Sequence, residues 1–202
     1  MYTKLPNLVI GFHGCDKSVV SRVVEHGVPM GASNNAFDWL GHGLYFWENN
    51  LNRARQWAES GNARTRNKIE TPAVLGAVID LGFCLNLTDS RSIELLKRQY
   101  EIYRKQNELA HLPLAENKDT KGNEDLLLRY LDCAVIESLH VTMKEENEKE
   151  FDSVRGVFVE GQPIYPNAGF REKTHIQICV RNPNCIKGFF LPRHKSGDFP
   201  MP

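Results

Sequence analysis

The chain lacks several features that would place it in a specialised class of protein. Its 202 residues carry no net charge, because 25 lysines and arginines balance 25 aspartates and glutamates. A neutral chain has no bulk electrostatic attraction for nucleic acid, although neutrality does not exclude a local basic patch. No apolar run approaches the length of a membrane span, and no charged segment followed by an apolar one opens the sequence. These absences predict a cytoplasmic protein without a membrane partner.

Cysteine is present, but not in an arrangement that indicates a framework or a metal site. The five cysteines are odd in number and scattered, with no C-x-x-C pair. This spacing argues against a disulfide framework and against a recognisable zinc site, so we expect no metal. We interpret them as small buried apolar residues in a reducing compartment. They are Cys15, Cys84, Cys133, Cys179 and Cys185.

No internal repeat and no low-complexity tract divides the sequence. Hydrophobic residues make up 41% and charged residues 25%, which is the composition of a globular domain. A chain of this length buries roughly 70% of the surface that its unfolded form exposes. We therefore expect a single domain over residues 1–202.

The pattern of apolar residues predicts β structure near both ends and helices between them. Helices are predicted over 17–26, which Asp16 caps, and over 51–60, which Asn49 or Asn50 caps. Two further helices, 92–109 and 123–142, form a helical insertion at about 89–150. The sequence thus predicts an α+β fold. Besides the run around Tyr45, strands are predicted over 7–13, 73–81, 154–160, 175–181 and 186–191.

Two short runs interrupted by glycine are the most informative parts of the sequence. The first is Gly-Phe-His-Gly at 11–14, and the second is Gly-His-Gly-Leu-Tyr-Phe-Trp at 41–47. Glycine inside a strand pattern usually marks a bulge or a close approach of the backbone. His13 and Tyr45 then suggest the two walls of a nucleotide cleft, with Phe46 directed into the core by alternation. A pair of glycine turns in a tightly packed β core is the alternative.

In their order and context these motifs resemble the ADP-ribosyltransferases of the diphtheria-toxin and poly(ADP-ribose) polymerase type. A strand ending in His-Gly precedes Gly-x-Gly-apolar-Tyr-Phe and a helix, and a strand ending in Asn182-Pro183 follows near the C-terminus. The family's signature is a His, a Tyr and a Glu on three strands, and the resemblance assigns the first two to His13 and Tyr45. It covers about half the chain and implies a split antiparallel β-sheet core. The helical insertion is not explained by it.

The third signature position departs from the family. Counting back from Asn182-Pro183, Gln177 occupies the position of the usual glutamate. Glutamine keeps a hydrogen bond to the ribose 2′-hydroxyl but loses the charge that stabilises an oxocarbenium-like transition state. The resemblance therefore implies transfer of a single ADP-ribose unit rather than chain elongation. Glu172, in the loop before the third strand, is a candidate substitute carboxylate unless it is merely an exposed loop charge, and Glu160 is less favoured.

The resemblance also implies a set of residues that bind NAD. His13 can donate to a ribose hydroxyl, and Gly14 lets backbone amides approach a carboxamide without a Cβ clash. Tyr45 offers its ring to nicotinamide, and Trp57 on the following helix offers a second ring. For His13, Tyr45 and Trp57, ordinary core or helix packing is the alternative. The remaining candidates are Asn34 and Asp38 over the adenosine half, Gly43 in the second motif, and Arg171, which could pair with the NAD pyrophosphate or with acceptor phosphates.

The implied reaction breaks the bond between nicotinamide and ribose and passes ADP-ribose to an acceptor. NAD is then a substrate, and the acceptor is a protein, RNA or DNA. The family also suggests a toxin or defence effector, with an antitoxin or inhibitor as partner. Two alternatives are an NAD- or ADP-ribose-binding module without turnover and an NAD glycohydrolase. A nucleic-acid acceptor would suit a basic patch, unless these charges only form a solvated face: Arg53, Arg55, Arg64, Arg66 and Lys68.

Overall fold

A computed structural model describes residues 8–60, 69–119 and 125–193. Strands from both ends of the sequence form its main sheet, and helices cover the two faces. The first half contains β1 (Leu8–Asp16), α1 (Lys17–Val24), β2 (Leu44–Glu48), α2 (Leu51–Glu59), β3 (Pro72–Asp80) and β4 (Cys84–Asn86). The second half contains α3 (Ser90–Leu109), β5 (Asn117–Lys118), β6 (Leu128–Arg129), α4 (Tyr130–Glu145), β7 (Ser153–Phe158), β8 (His175–Val180) and β9 (Ile186–Phe190).

The main sheet has seven strands in the order β4-β7-β8-β2-β1-β3-β9, and β5 pairs with β6 separately. The fold is therefore α+β, as predicted. Five of the six pairings in the main sheet are antiparallel, but β4 and β7 are parallel. Parallel neighbours need a long crossover connection, and the helical insertion between β4 and β7 supplies it. The sheet is thus mixed rather than wholly antiparallel.

The two faces of the sheet are covered differently. Tyr45 pairs with Cys179 and Trp47 with Gln177, so these four side chains share one face, here called the front face. Helices α3 and α4 pack on the front face over β4, β7 and β8, burying Leu85, Ile136, Leu139, Val154 and Cys179. On the opposite, back face, α1 packs Val20 and Val23 against Leu75 and Cys15. Phe46 is fully buried on the back face, as its alternation with Tyr45 predicts.

Local capping explains where most helices begin. Asp16 accepts a hydrogen bond from the Ser18 amide at 2.9 Å and caps α1, and Asn50 accepts from Arg53 and caps α2. The helix predicted from 123 instead begins at Tyr130. Asn117, distant in sequence, accepts from the amides of Leu131 and Asp132 and so satisfies its first turn.

The cysteines are free, with four of them buried and Cys84 half-buried. None of the described helices is long and apolar enough to cross a membrane.

Candidate functional site

The three strands that carry the sequence motifs are neighbours in the sheet. Strand β2 lies between β8 and β1, and the register pairs Phe12 with Trp47 and Trp47 with Gln177. His13 and Tyr45 each lie within two residues of this row. The fold therefore brings together, at one level of the sheet, three segments that are far apart in the sequence.

The sheet splits between β1 and β2 at the first motif. β1 pairs with β2 only at Gly11 and Phe12, whereas its pairing with β3 continues to Asp16. The amide of Asn49 donates to the carbonyl oxygen of Ile10 at 2.8 Å, so Ile10 directs its peptide group toward β2. Every second residue of a strand points its N–H and C=O groups to the same side. Gly14, four residues after Ile10, therefore directs its N–H and C=O groups toward the gap between β1 and β2.

His13 bridges the two strands where they separate. Its Nδ1 atom lies 2.8 Å from the carbonyl oxygen of Tyr45. A carbonyl oxygen only accepts, so Nδ1 carries the hydrogen and Nε2 of the neutral ring is an acceptor. Burial lowers the pKa of His13, although the bond to Tyr45 opposes this shift. The ring lies edge-on to Phe46 with centroids 6.0 Å apart, which places it on the back face.

Tyr45 points to the opposite face, and its hydroxyl is fully used by the protein. The hydroxyl donates to the carbonyl oxygen of Gly41 at 2.7 Å and accepts from the amide of Leu40 at 2.8 Å. Burial raises the pKa of Tyr45, so the phenol stays protonated. The half-buried ring packs against the front-face core. The ring, rather than the hydroxyl, is the part that a ligand could contact.

Gln177 is half-buried on the front face beside Trp47. Its register partner on β7 is Gly156, which has no side chain. Over the described ranges, the Gln177 side-chain amide has no hydrogen-bond partner. Its donor and acceptor are therefore available to a ligand, whereas those of Tyr45 are not.

Of the two candidate carboxylates, Glu160 is the one that contacts side chains on the front face. Glu172 is exposed, and its backbone amide donates to the Gln162 carbonyl at 3.0 Å. Glu160 is 8% exposed, pairs with Arg53 at 3.1 Å, and lies 3.8 Å from Nδ1 of His175. Glu160 could not be paired with Arg53 of α2 from the sequence, because 107 positions separate the two residues.

Helix α2 brings aromatic and backbone groups to the front face. The ring of Trp57 lies 5.7 Å from that of Trp47, next to the row that includes Gln177. A Cβ on Gly14 would lie 2.2 Å from the carbonyl oxygen of Ala54. Gly14 is therefore required for the packing of α2, in addition to the ligand role that the sequence predicts for it.

Two of the residues predicted to bind NAD lie near the start of β2 and the end of β8, away from the split. Asn34 and Gly43 line a groove of about 380 Å³ together with His42, Arg181 and Asn182. The backbone amide of His42 donates to Glu137, which also forms an ion pair with Arg181. No pattern in the sequence indicates that Glu137 contacts these residues.

Two other residues predicted to bind NAD form hydrogen bonds within their own loops. Asp38 is buried and accepts from the Asn35 amide at 2.8 Å. Arg171 donates to the Gly161 carbonyl at 3.1 Å within the connection between β7 and β8.

The basic patch is only partly within the described residues. Arg53 pairs with Glu160, and its guanidinium carbon lies 5.9 Å from the Trp47 ring centroid. Arg55 is exposed. Arg64, Arg66 and Lys68 lie outside the described residues.

Comparison with protein-family models, curated proteins and solved structures found no match to this chain. Across residues 8–60, 69–119 and 125–193, no group of three His, Cys, Asp or Glu side chains could hold a metal ion. Function is therefore inferred from the residues and their geometry.

Proposed function

We propose that this chain is an NAD-dependent mono-ADP-ribosyltransferase that modifies a macromolecule. The observation that supports this most is the row formed by Phe12, Trp47 and Gln177 on three adjacent strands. The row brings the His13, Tyr45 and Gln177 motifs to one level of the sheet. If these motifs were only unrelated turns, their convergence would be a coincidence.

The split in the sheet supports the proposed binding of nicotinamide. A carboxamide needs one acceptor and one donor, and Gly14 offers its C=O and N–H toward the gap. The nicotinamide ring would then contact the rings of Tyr45 and Trp57. Such stacking is worth about 0.5–1.5 kcal/mol beyond the burial of area.

In the proposed reaction, the bond between the ribose C1′ and the nicotinamide nitrogen breaks. Its electron pair leaves with nicotinamide, which departs neutral, while the acceptor's nucleophilic atom bonds to C1′. The side-chain amide of Gln177, which has no partner among the described residues, would bind a ribose hydroxyl. It adds no negative charge against the developing positive charge, so we propose single transfer rather than elongation.

A binding module without turnover is the second candidate, and the position of His13 favours it. The His13 ring lies on the back face, and its Nδ1 atom is occupied by the Tyr45 carbonyl. In that case His13 holds the split in shape and NAD or ADP-ribose binds without reacting.

Incubation with NAD labelled in both the nicotinamide and the adenine separates these candidates. Transfer releases nicotinamide and leaves adenine label on protein or nucleic acid, whereas hydrolysis gives free ADP-ribose. Saturable binding without release of nicotinamide supports the module. Gln177→Leu should abolish release, whereas the matched control Gln162→Leu, at an exposed position, should not. No binding of NAD at all would contradict both candidates.

A further inference from the structure

Within the described part of the chain, three buried nitrogen atoms near Gln177 have no hydrogen-bond partner. They are Nε1 of Trp47, Nε of Arg53 and Nε2 of His175. Buried polar atoms without partners are costly, and each one calls for a ligand, an ordered water or a functional explanation. These three belong to neighbouring side chains, which indicates a common cause, and the other two such atoms are Nε of Arg129 and Nε2 of His140.

The three side chains form one cluster on the front face. The ring centroid of Trp47 lies 6.2 Å from that of His175 and 5.9 Å from the guanidinium carbon of Arg53. His175 and Gln177 are two residues apart on β8, so their side chains share a face. Trp47 is the register partner of Gln177. The cluster therefore adjoins Gln177, the third signature position.

The hydrogen-bonding character of the cluster is defined. Nδ1 of His175 is bonded to the carbonyl oxygen of Lys173, so Nδ1 carries the hydrogen and Nε2 offers a lone pair. Trp47 Nε1 and Arg53 Nε are donors only. Two donors and one acceptor are the complement of a hydroxyl group, which accepts through its oxygen and donates its proton.

Glu160 lies where its carboxylate would stabilise His175 after the imidazole accepts the proton of a hydroxyl group. Its carboxylate lies 3.8 Å from Nδ1 of His175 and 3.1 Å from Arg53. Burial lowers the pKa of His175, with Arg53 acting in the same direction and the Lys173 carbonyl and Glu160 opposing. The other groups packed on the ring are uncharged: Trp39, Trp47 and Phe158.

We propose that Trp47, Arg53 and His175 form the nucleophile subsite of the enzyme, which rests on the transferase function proposed above. The oxygen of a hydroxyl group accepts from Trp47 and Arg53, and its hydrogen points to Nε2 of His175. In the reaction the O–H bond breaks and its proton moves to Nε2, giving an imidazolium that Glu160 stabilises. The oxygen bonds to the ribose C1′, and the electron pair of the broken C1′–N bond leaves with nicotinamide.

The hydroxyl belongs to the macromolecular acceptor or to water. Trp47 and His175 are buried, whereas the neighbouring Trp39 and Trp57 are half-buried. Entry of the hydroxyl would require one of these half-buried rings to move. The products distinguish the two sources, because water gives free ADP-ribose and a macromolecule retains the adenine label.

The test compares pH profiles of nicotinamide release for wild type, His175→Asn and the exposed control His26→Asn. Wild type should lose kcat/KM at low pH as one histidine becomes protonated. His175→Asn should lose about 10²-fold or more in rate, lack this low-pH limb, and keep its NAD affinity. Glu160→Gln should shift the limb to lower pH, because the imidazolium loses its carboxylate. His26→Asn should behave like wild type.

The outcomes separate this inference from the proposed function. A wild-type rate and pH limb in His175→Asn would overturn the nucleophile subsite alone, as would equal losses of NAD affinity and rate. No nicotinamide release by wild type would overturn both. If His175→Asn does not fold, Trp47→Phe keeps a ring and removes one donor. It should slow release at unchanged NAD affinity, and an unchanged rate would contradict the subsite.

Discussion

The imidazole of His13 bridges to the main chain of Tyr45, with 2.8 Å between Nδ1 and the carbonyl oxygen, at the point where β1 and β2 separate. The side chain thus joins two strands that no longer pair through their backbones. This bridge links the two edges of the split where the backbone pairing has ended.

Replacing His13 with alanine should destabilise the protein. The carbonyl oxygen of Tyr45 would lose its partner, at a cost of about 1–3 kcal/mol in the free energy of unfolding. Urea denaturation measures this change, with the exposed His26→Ala as control. Equal stability of the two variants would show that the bridge contributes nothing.

Gly14→Ala should weaken the packing of α2 on the sheet. The new Cβ would lie 2.2 Å from the Ala54 carbonyl, so the helix must move. Overpacking of this kind costs about 1–3 kcal/mol and should also lower NAD affinity under the proposed function. Thermal unfolding and calorimetric titration with NAD measure the two effects. Gly169→Ala, where an added Cβ meets nothing within 4 Å, should change neither.

The Arg53–Glu160 ion pair should respond differently to single and double substitution. Its side chains are only 13% and 11% exposed, so Arg53→Met leaves an uncompensated buried carboxylate. We expect a loss of about 3–5 kcal/mol, with most of it recovered in the double variant Arg53→Met/Glu160→Met. Denaturant titration measures both.

The exposed pair of Arg104 and Glu101 provides the control. Arg104→Met should cost about 0–1 kcal/mol. A cost for Arg53→Met as small as this would contradict the importance assigned to the buried pair.

Stability should fall as pH decreases below neutrality. Burial lowers the pKa values of His13, His140 and His175 from 6.5. Below about pH 7 the unfolded chain therefore binds more protons than the folded one, and the free energy of unfolding decreases with falling pH. The decline begins near 6.5 and ends below the depressed values. Denaturation midpoints between pH 8 and 5 test this, and a higher stability at pH 5 would contradict it.

Gln177→Glu should raise the rate of nicotinamide release. The new carboxylate would stabilise positive charge on the ribose, and such terms are worth about 2.7–4 kcal/mol in preorganised sites. We expect an increase of about tenfold or more, with Tyr45→Ala reducing release. If Gln177→Glu is neutral and Glu172→Ala abolishes activity, Gln177 is not the third signature residue.

The sequence predicted local features of the fold better than distant contacts. The Asp16 and Asn50 caps act within three residues, so their spacing is visible in the sequence. The parallel strand Cys84–Asn86 has only three residues and too short a pattern to recognise. The start of α4 depends on Asn117, whose role comes from tertiary contact alone.

The same limit applies to the candidate site. Alternation correctly separates Phe46 from Tyr45, but it gives no face for His13 until the register with β2 is known. The contacts of Glu160 with Arg53 and His175 join three elements, and only the folded chain brings them together. Motifs therefore give candidate residues, and packing decides which partners those residues contact.

The insertion of β8 between β7 and β2 has a consequence for biosynthesis. While the ribosome is still translating the helical insertion, β2 has no neighbour on that side and presents a bare edge. The row formed by Phe12, Trp47 and Gln177 stays incomplete until Gln177 leaves the exit tunnel. Until β8 pairs with it, a chaperone that covers β2 would protect the nascent chain from pairing with other strands.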